Sequence, residues 1–151
     1  MNLRAVIIVA SLLACFAPKC STGGQCPADT AQAIPLCDVL VNAHQYDGRE
    51  IIVQGAYSPS PEYSLLVAPL WCKATSRFVN LQLAPNYKAN KSALKTERSL
   101  LKHHQEVDEV LRGMFHVAHQ EQCFGPSCNL YEIEVTELLC AKPTTSDPGP
   151  H

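Results

Sequence analysis

The sequence has no excess of positive charge, no apolar run long enough to span a bilayer and no nucleophile motif, and each lack counts against a class of function. Formal net charge at pH 7 is -2, so there is no global basic field of the kind that drives non-specific nucleic-acid binding. The apolar run at residues 5–14 (AVIIVASLLA) is much shorter than the ~20 residues a membrane-spanning helix needs. A Ser or Cys nucleophile requires a base held within hydrogen-bond reach, and neither a G-x-S-x-G elbow nor a Cys signature is present. His103 and His104 are neighbours on a predicted helix, where side chains at i and i+1 point apart. His104 is expected to cap the apolar face and His103 to be solvated, while Asp108 and Glu109 are surface carboxylates by default. Neither catalysis nor a cofactor is expected. There is no internal repeat, and 151 residues with 46% hydrophobic and 17% charged side chains suffice for one ordinary core but are short for two.

What the chain does have is an export-type beginning and many cysteines. Arg4 precedes the apolar run, so residues 1–24 read as an export signal followed by the start of a linker. Two processing sites fit. Leu12-Leu13-Ala14-Cys15 resembles a bacterial lipobox, which would lipidate Cys15, whereas a cut within Ser21-Thr22-Gly23-Gly24 would release a freely secreted protein. The second choice removes Cys15 and Cys20 from the 8 Cys and leaves an even set: Cys26, Cys37, Cys72, Cys123, Cys128 and Cys140. An even set outside the cytoplasm points to disulfides, with fifteen pairings open to six Cys. Lipidation at Cys15 would instead leave seven and one free thiol.

Residues 25–33 are polar and without period, a linker. Residues 142–151 (KPTTSDPGPH) carry too little apolar surface to fold and read as a disordered tail. The folded unit is expected at 34–141. Leu36, Val39, Leu40 and Ala43 share one face of a short helix, with Gly48 past its end. Strands follow at 50–57, 63–68 and 77–83. Leu100, Leu101, His104, Val107, Val110 and Leu111 then fall on one face of a predicted helix over 92–111, uninterrupted by Gly or Pro. Lys91, Lys95, Arg98 and Lys102 line its opposite, solvated face. Two strands, 114–119 and 129–139, close the unit.

Three strands, a helix and two more strands is the element order of the oligonucleotide/oligosaccharide-binding (OB) fold, a five-stranded Greek-key β-barrel with its helix between strands 3 and 4. Residues 46–55 (YDGREIIVQG) resemble the entry to the first strand of such domains. With Gly113-Met114-Phe115 and Gly125…Tyr131, the stretch 37–139 is similar to a group of small secreted bacterial proteins to which no activity attaches. The resemblance implies an α+β, OB-like barrel with a short N-terminal helix. It also implies a binding face on the second and third strands, here Tyr63, Trp71, Lys73, Arg77, Phe78, Asn80 and Gln82, where aromatics and cations could meet a base or sugar.

The expected function is therefore an exported, noncatalytic binding or assembly module of the cell envelope, whose partner is an envelope protein or a small ligand. Membrane contact would come only through a lipid on Cys15. Two rivals remain, a nucleic-acid or glycan binder using the strand face and a metal protein using His116, His119 and nearby Cys. Cys123 and Cys128 flank a Phe-Gly-Pro-Ser turn able to bring their Cα atoms near the ~5.5 Å a disulfide wants. The two His are three apart on a predicted strand and face opposite ways, so the spacing favours a local bridge over a distant one or a metal.

Overall fold

The computed structural model describes residues 26–119, 123–125 and 128–145. The export signal at 1–24, the lipidation candidate Cys15 and the end of the tail at 146–151 lie outside the described residues. The chain is α+β. A 3-10 helix (Ala28–Gln32) leads into β1 (Ile34–Pro35), α1 (Leu36–Val41) and α2 (Ala43–Tyr46). Then come β2 (Arg49–Pro59), β3 (Ser64–Val67), β4 (Phe78–Ala89), α3 (Lys91–Lys102), β5 (Val107–Val117) and β6 (Tyr131–Pro143).

The six strands form one mixed sheet in the order β1-β2-β3-β4-β6-β5, and a further β2–β5 pairing brings its last strand back to the second. Strands β2, β3, β4, β6 and β5 thereby make a closed ring. The β4–β6 pairing is parallel, the other ring pairings are antiparallel, and β1 adds a short parallel pairing to β2. Closure leaves few unpaired strand edges, which in open sheets are sites of aggregation.

Alternation along the strands builds the core. On β5, Val107, Leu111, Phe115 and Val117 enter the main apolar cluster, meeting Val53 from β2 and Ile133 and Val135 from β6. Phe115 stacks on Tyr131 with ring centroids 5.9 Å apart. At Gly113 the strands approach so closely that an added Cβ would lie 2.6 Å from the Glu134 carbonyl oxygen, so only glycine fits there. The opposite face of the same region is buried too. Val110, Leu139 and Cys140 form a second small cluster, covered by Cys26, Ala33 and Ile52.

Three disulfides staple this arrangement: Cys26–Cys140, Cys37–Cys72 and Cys123–Cys128, with Cα separations of 5.3, 5.5 and 4.6 Å. They fit a protein exported to an oxidising compartment. The stretch expected as a linker, 25–33, thus carries a 3-10 helix and a bridge. Lys142 and Pro143, expected in the tail, extend β6.

The long helix is the main correction. Instead of running over 92–111, α3 stops at Lys102, and 107–111 belongs to β5. Its start is capped by Asn90, whose Oδ1 accepts hydrogen bonds from the Ser92 and Ala93 amides. Its end is a Schellman motif: the His104 amide donates to the Leu101 carbonyl and the Gln105 amide to the Leu100 carbonyl. His104 sits at φ 55, in the left-handed conformation usually supplied by Gly. It is exposed and caps no apolar face. Val107, Val110 and Leu111 are buried as strand residues on both faces of β5, which matches a helical period as well as a strand's. The N-terminal helix also differs, breaking at Asn42 into α1 and α2.

On α3, Ala93 and Leu100 are buried, whereas Lys91, Lys95, Arg98 and Lys102 are exposed. Replacing Leu100 by Ala is expected to cost about 2 kcal/mol, and Lys102 by Ala less than about 0.5 kcal/mol, in a denaturant titration. Equal losses would contradict the placement of this helix.

Candidate functional site

The sequence-predicted binding residues lie around β3 and β4 but do not converge. Tyr63 precedes β3, and Trp71 and Lys73 sit on the connection to β4, on either side of Cys72, which is bonded to Cys37. Phe78, Asn80 and Gln82 alternate along β4 and so share one face. The Arg77 guanidinium lies over the Phe78 ring at 5.7 Å from its centroid and donates to the Ala68 carbonyl at 3.4 Å. Asn80 is buried, and its amide donates to Glu132 Oε2 at 2.8 Å. Gly125 closes over it, for a Cβ there would stand 2.7 Å from Asn80 Oδ1. Trp71 and Phe78 are outside the core at 43% and 40% exposure. Glu132 and Glu134 stand opposite Asn80 and Gln82 on β6, so acid offsets whatever cation this face presents.

Of the residues of the metal reading, His119, Cys123 and Cys128 are otherwise engaged, and His116 stands on β5 opposite Glu132. Cys123 and Cys128 are bonded to each other, which leaves neither thiolate free. Asp47 clasps the end of β5: its Oδ1 accepts from the Val117 amide at 2.9 Å, and its Oδ2 lies 2.9 Å from His119 Nε2. That amide, and then His119, hold the Asp47 carboxyl below its ordinary range against a smaller opposing effect of burial. Among the described residues no three His, Cys, Asp or Glu side chains converge to hold a metal.

A different site stands out between α3 and the ring, a cleft of about 330 Å³. Leu94, Glu97 and Arg98 of α3 form one wall. The ring supplies Tyr57, Ser64, Leu81, Leu83, Tyr87, Glu109, Leu111, Val135 and Leu138. This is the low end of the size range of small-molecule pockets, and the mixture of apolar walls with a few polar groups is typical of them.

Glu109 is the unusual member. It takes the inward parity of β5 between Val107 and Leu111, and its neighbours across the ladders are Gly55 and Ala141. Small partners on both sides leave its side chain room. It is 4% exposed, and among the described residues no hydrogen bond or ion pair reaches its carboxyl. Burial, reinforced by the charge of Glu97, raises its pKa from 4.5 to about 8. The Glu97 carboxyl is raised as well, by burial, with Arg98 opposing. Tyr57 Oη lies 3.2 Å from Ser64 Oγ. Burial chiefly, and then the two carboxylates, push the Tyr57 and Tyr87 hydroxyls up, although the Ser64 bond pulls Tyr57 back. At neutral pH the cleft therefore presents protons on an apolar floor.

Neither a protein-family model nor a curated protein matches this chain. The cleft is read from its own residues.

Asp108 and Glu109, expected on the surface, are both buried at 9% and 4% exposure. Asp108 accepts from Thr144 Oγ1 at 3.1 Å and is raised by burial despite that bond. Reading 107–111 as helix hid Glu109. The signal that would have found it is the strand alternation of Val107, Glu109, Leu111, Gly113, Phe115 and Val117, in which one acid occupies an otherwise apolar row.

Proposed function

We propose that the chain is an exported, noncatalytic ligand-binding module of the cell envelope, built on an OB-type barrel. Its ligand is a small molecule seated between α3 and the ring. The barrel reading is supported by the five-strand ring with its helix between the third and fourth ring strands. Export is supported by the three disulfides and by the apolar N-terminal run. Attachment to a membrane would come through lipid on Cys15, and the intact mass of the mature protein distinguishes that form from a freely secreted one.

The observation that carries the binding reading is Glu109, a residue only 4% exposed whose unpartnered carboxyl oxygens keep their remaining exposure at the wall of an open cleft. An ionisable group without a partner is costly inside a protein, and such groups concentrate at functional sites. A second reading, glycan or nucleic-acid binding on the outer strand face, has the exposed Trp71 and the Arg77–Phe78 pair in its favour. Fragment screening by thermal shift tests the choice. Ligands of the exported, oxidised protein are expected to lose their effect in Leu94→Trp, which fills the cleft, and to keep it in Trp71→Ala. The reverse pattern would move the site to the strand face.

A further inference from the structure

We infer that the cleft between α3 and the ring is a site for a small organic cation, an amine or guanidine on a short apolar body, paired with Glu109 and Glu97. This inference rests on the reading of the cleft as the binding site.

Charge balance in the cleft selects a cation. Two carboxyls face the cleft, Glu97 from α3 and Glu109 from β5. The other titratable or charged groups facing it are Tyr57 from β2, Tyr87 from β4 and Arg98 beside Glu97. Arg98 is exposed, and among the described residues it makes no ion pair with either carboxylate. Glu109 is thus left in a largely apolar setting where the charge acting on it is that of another acid, Glu97. An anionic ligand would add to that repulsion. A neutral one would leave Glu109 protonated and its charge unused. A cation converts both carboxyls into partners, and in a partly desolvated site the attraction is stronger than in water. The phenol rings of Tyr57 and Tyr87 can add cation–π attraction.

An organic cation is favoured over a metal ion by the donor set. Among the described residues no three His, Cys, Asp or Glu side chains converge here to hold an ion, while Leu81, Leu94 and Leu138 offer apolar surface that a bare ion cannot use. The cleft volume of about 330 Å³ suits a compact body. Because Glu109 binds a proton until about pH 8, a cation must displace that proton. Binding is therefore tighter at high pH and weakens as pH falls.

Calorimetry with three probes of one shape, benzylamine, benzyl alcohol and benzoate, tests this on the exported, oxidised protein at pH 8 and pH 6. Benzylamine is expected to bind at least about tenfold more tightly than benzyl alcohol at pH 8, with benzoate weakest. Its affinity should fall by more than about tenfold at pH 6, one proton being released per amine bound. Glu109→Gln should erase the preference for the amine while keeping alcohol binding. Glu97→Gln should weaken amine binding less, and serves as a second variant should the first misfold. Equal affinities for amine and alcohol, both lost in Leu94→Trp, would overturn the cation inference and leave the cleft as a binding site. Failure of all three probes at millimolar concentration would overturn both.

Discussion

Raising the pH from about 5 to about 9 is expected to destabilise the oxidised protein by up to about 5 kcal/mol, and Glu109→Gln should remove most of that loss. The sign follows from the carboxyl's position. Its pKa is raised from 4.5 to about 8 in the folded chain, so between those values the native state holds a proton that the unfolded state has released. Unfolding then releases a proton, and stability falls as pH rises through this window. Below it both states are protonated and burial of the neutral acid is tolerated. Above it the folded chain must bury a charge that the acidic Glu97 opposes. Glu97 and Asp108 are shifted the same way by burial, so the Gln variant should keep a shallow residual slope. Asp47, held low by the Val117 amide, acts oppositely: its stabilising effect is present above its ordinary value and is lost as acid drives pH down through its lowered one. The measurement is a set of urea titrations over this pH range, with the Gln variant alongside. Parallel curves for the two proteins would mean that Glu109 titrates like a surface carboxylate.

The second large effect is expected from the bridge between the chain's start and its last strand. Replacing Cys26 and Cys140 together by Ser should cost about 5 kcal/mol, compared with about 4 kcal/mol for the Cys37–Cys72 pair and about 2 kcal/mol for Cys123–Cys128. The order follows from the separations of 114, 35 and 5 residues that the bonds close, since a cross-link removes more unfolded-state freedom from a longer loop. The first bridge does more than close a loop. It holds the 3-10 helix segment over Val110 and Leu139, and places Asp29 3.5 Å from Arg112, which also reaches Glu50 and Glu137. These pairs are partly exposed and contribute little on their own. Amide exchange at 28–33 should therefore quicken in the double Ser variant even where the ring stays protected. If the Cys123–Cys128 pair proved the costliest to remove, the entropic ordering would be wrong.

Much of the strand plan was legible because β2 is rich in β-branched residues, because β6 alternates over Tyr131, Ile133 and Val135, and because Pro and Gly punctuate the ends of the early strands. The end of α3 was not, since His104 performs at φ 55 what a glycine would have announced. Strand β5 was obscured for a second reason. Its first residues are buried on both faces, by the core on one side and by the Cys26–Ala33 segment on the other, and a strand covered on both faces loses its period of two. The even Cys set showed that bridges were available, but only the Cys123–Cys128 pair is close enough in sequence for a turn to join it; the other pairs are set by the fold. The candidate face on β4 was reached by fold analogy, which places strands but does not reveal that Asn80 is occupied by Glu132. The cleft depends on the parity of one residue, Glu109, and parity could not be assigned while its segment read as helix.

The most direct measurement is the titration of the Glu109 carboxyl carbon by NMR, assigned by comparison with Glu109→Gln and repeated with excess benzylamine. The expected result is a midpoint near 8 in the free protein that moves down by at least about one unit when the amine is bound. A midpoint near 4.5, unchanged by the amine, would contradict both the buried acid and the site built on it.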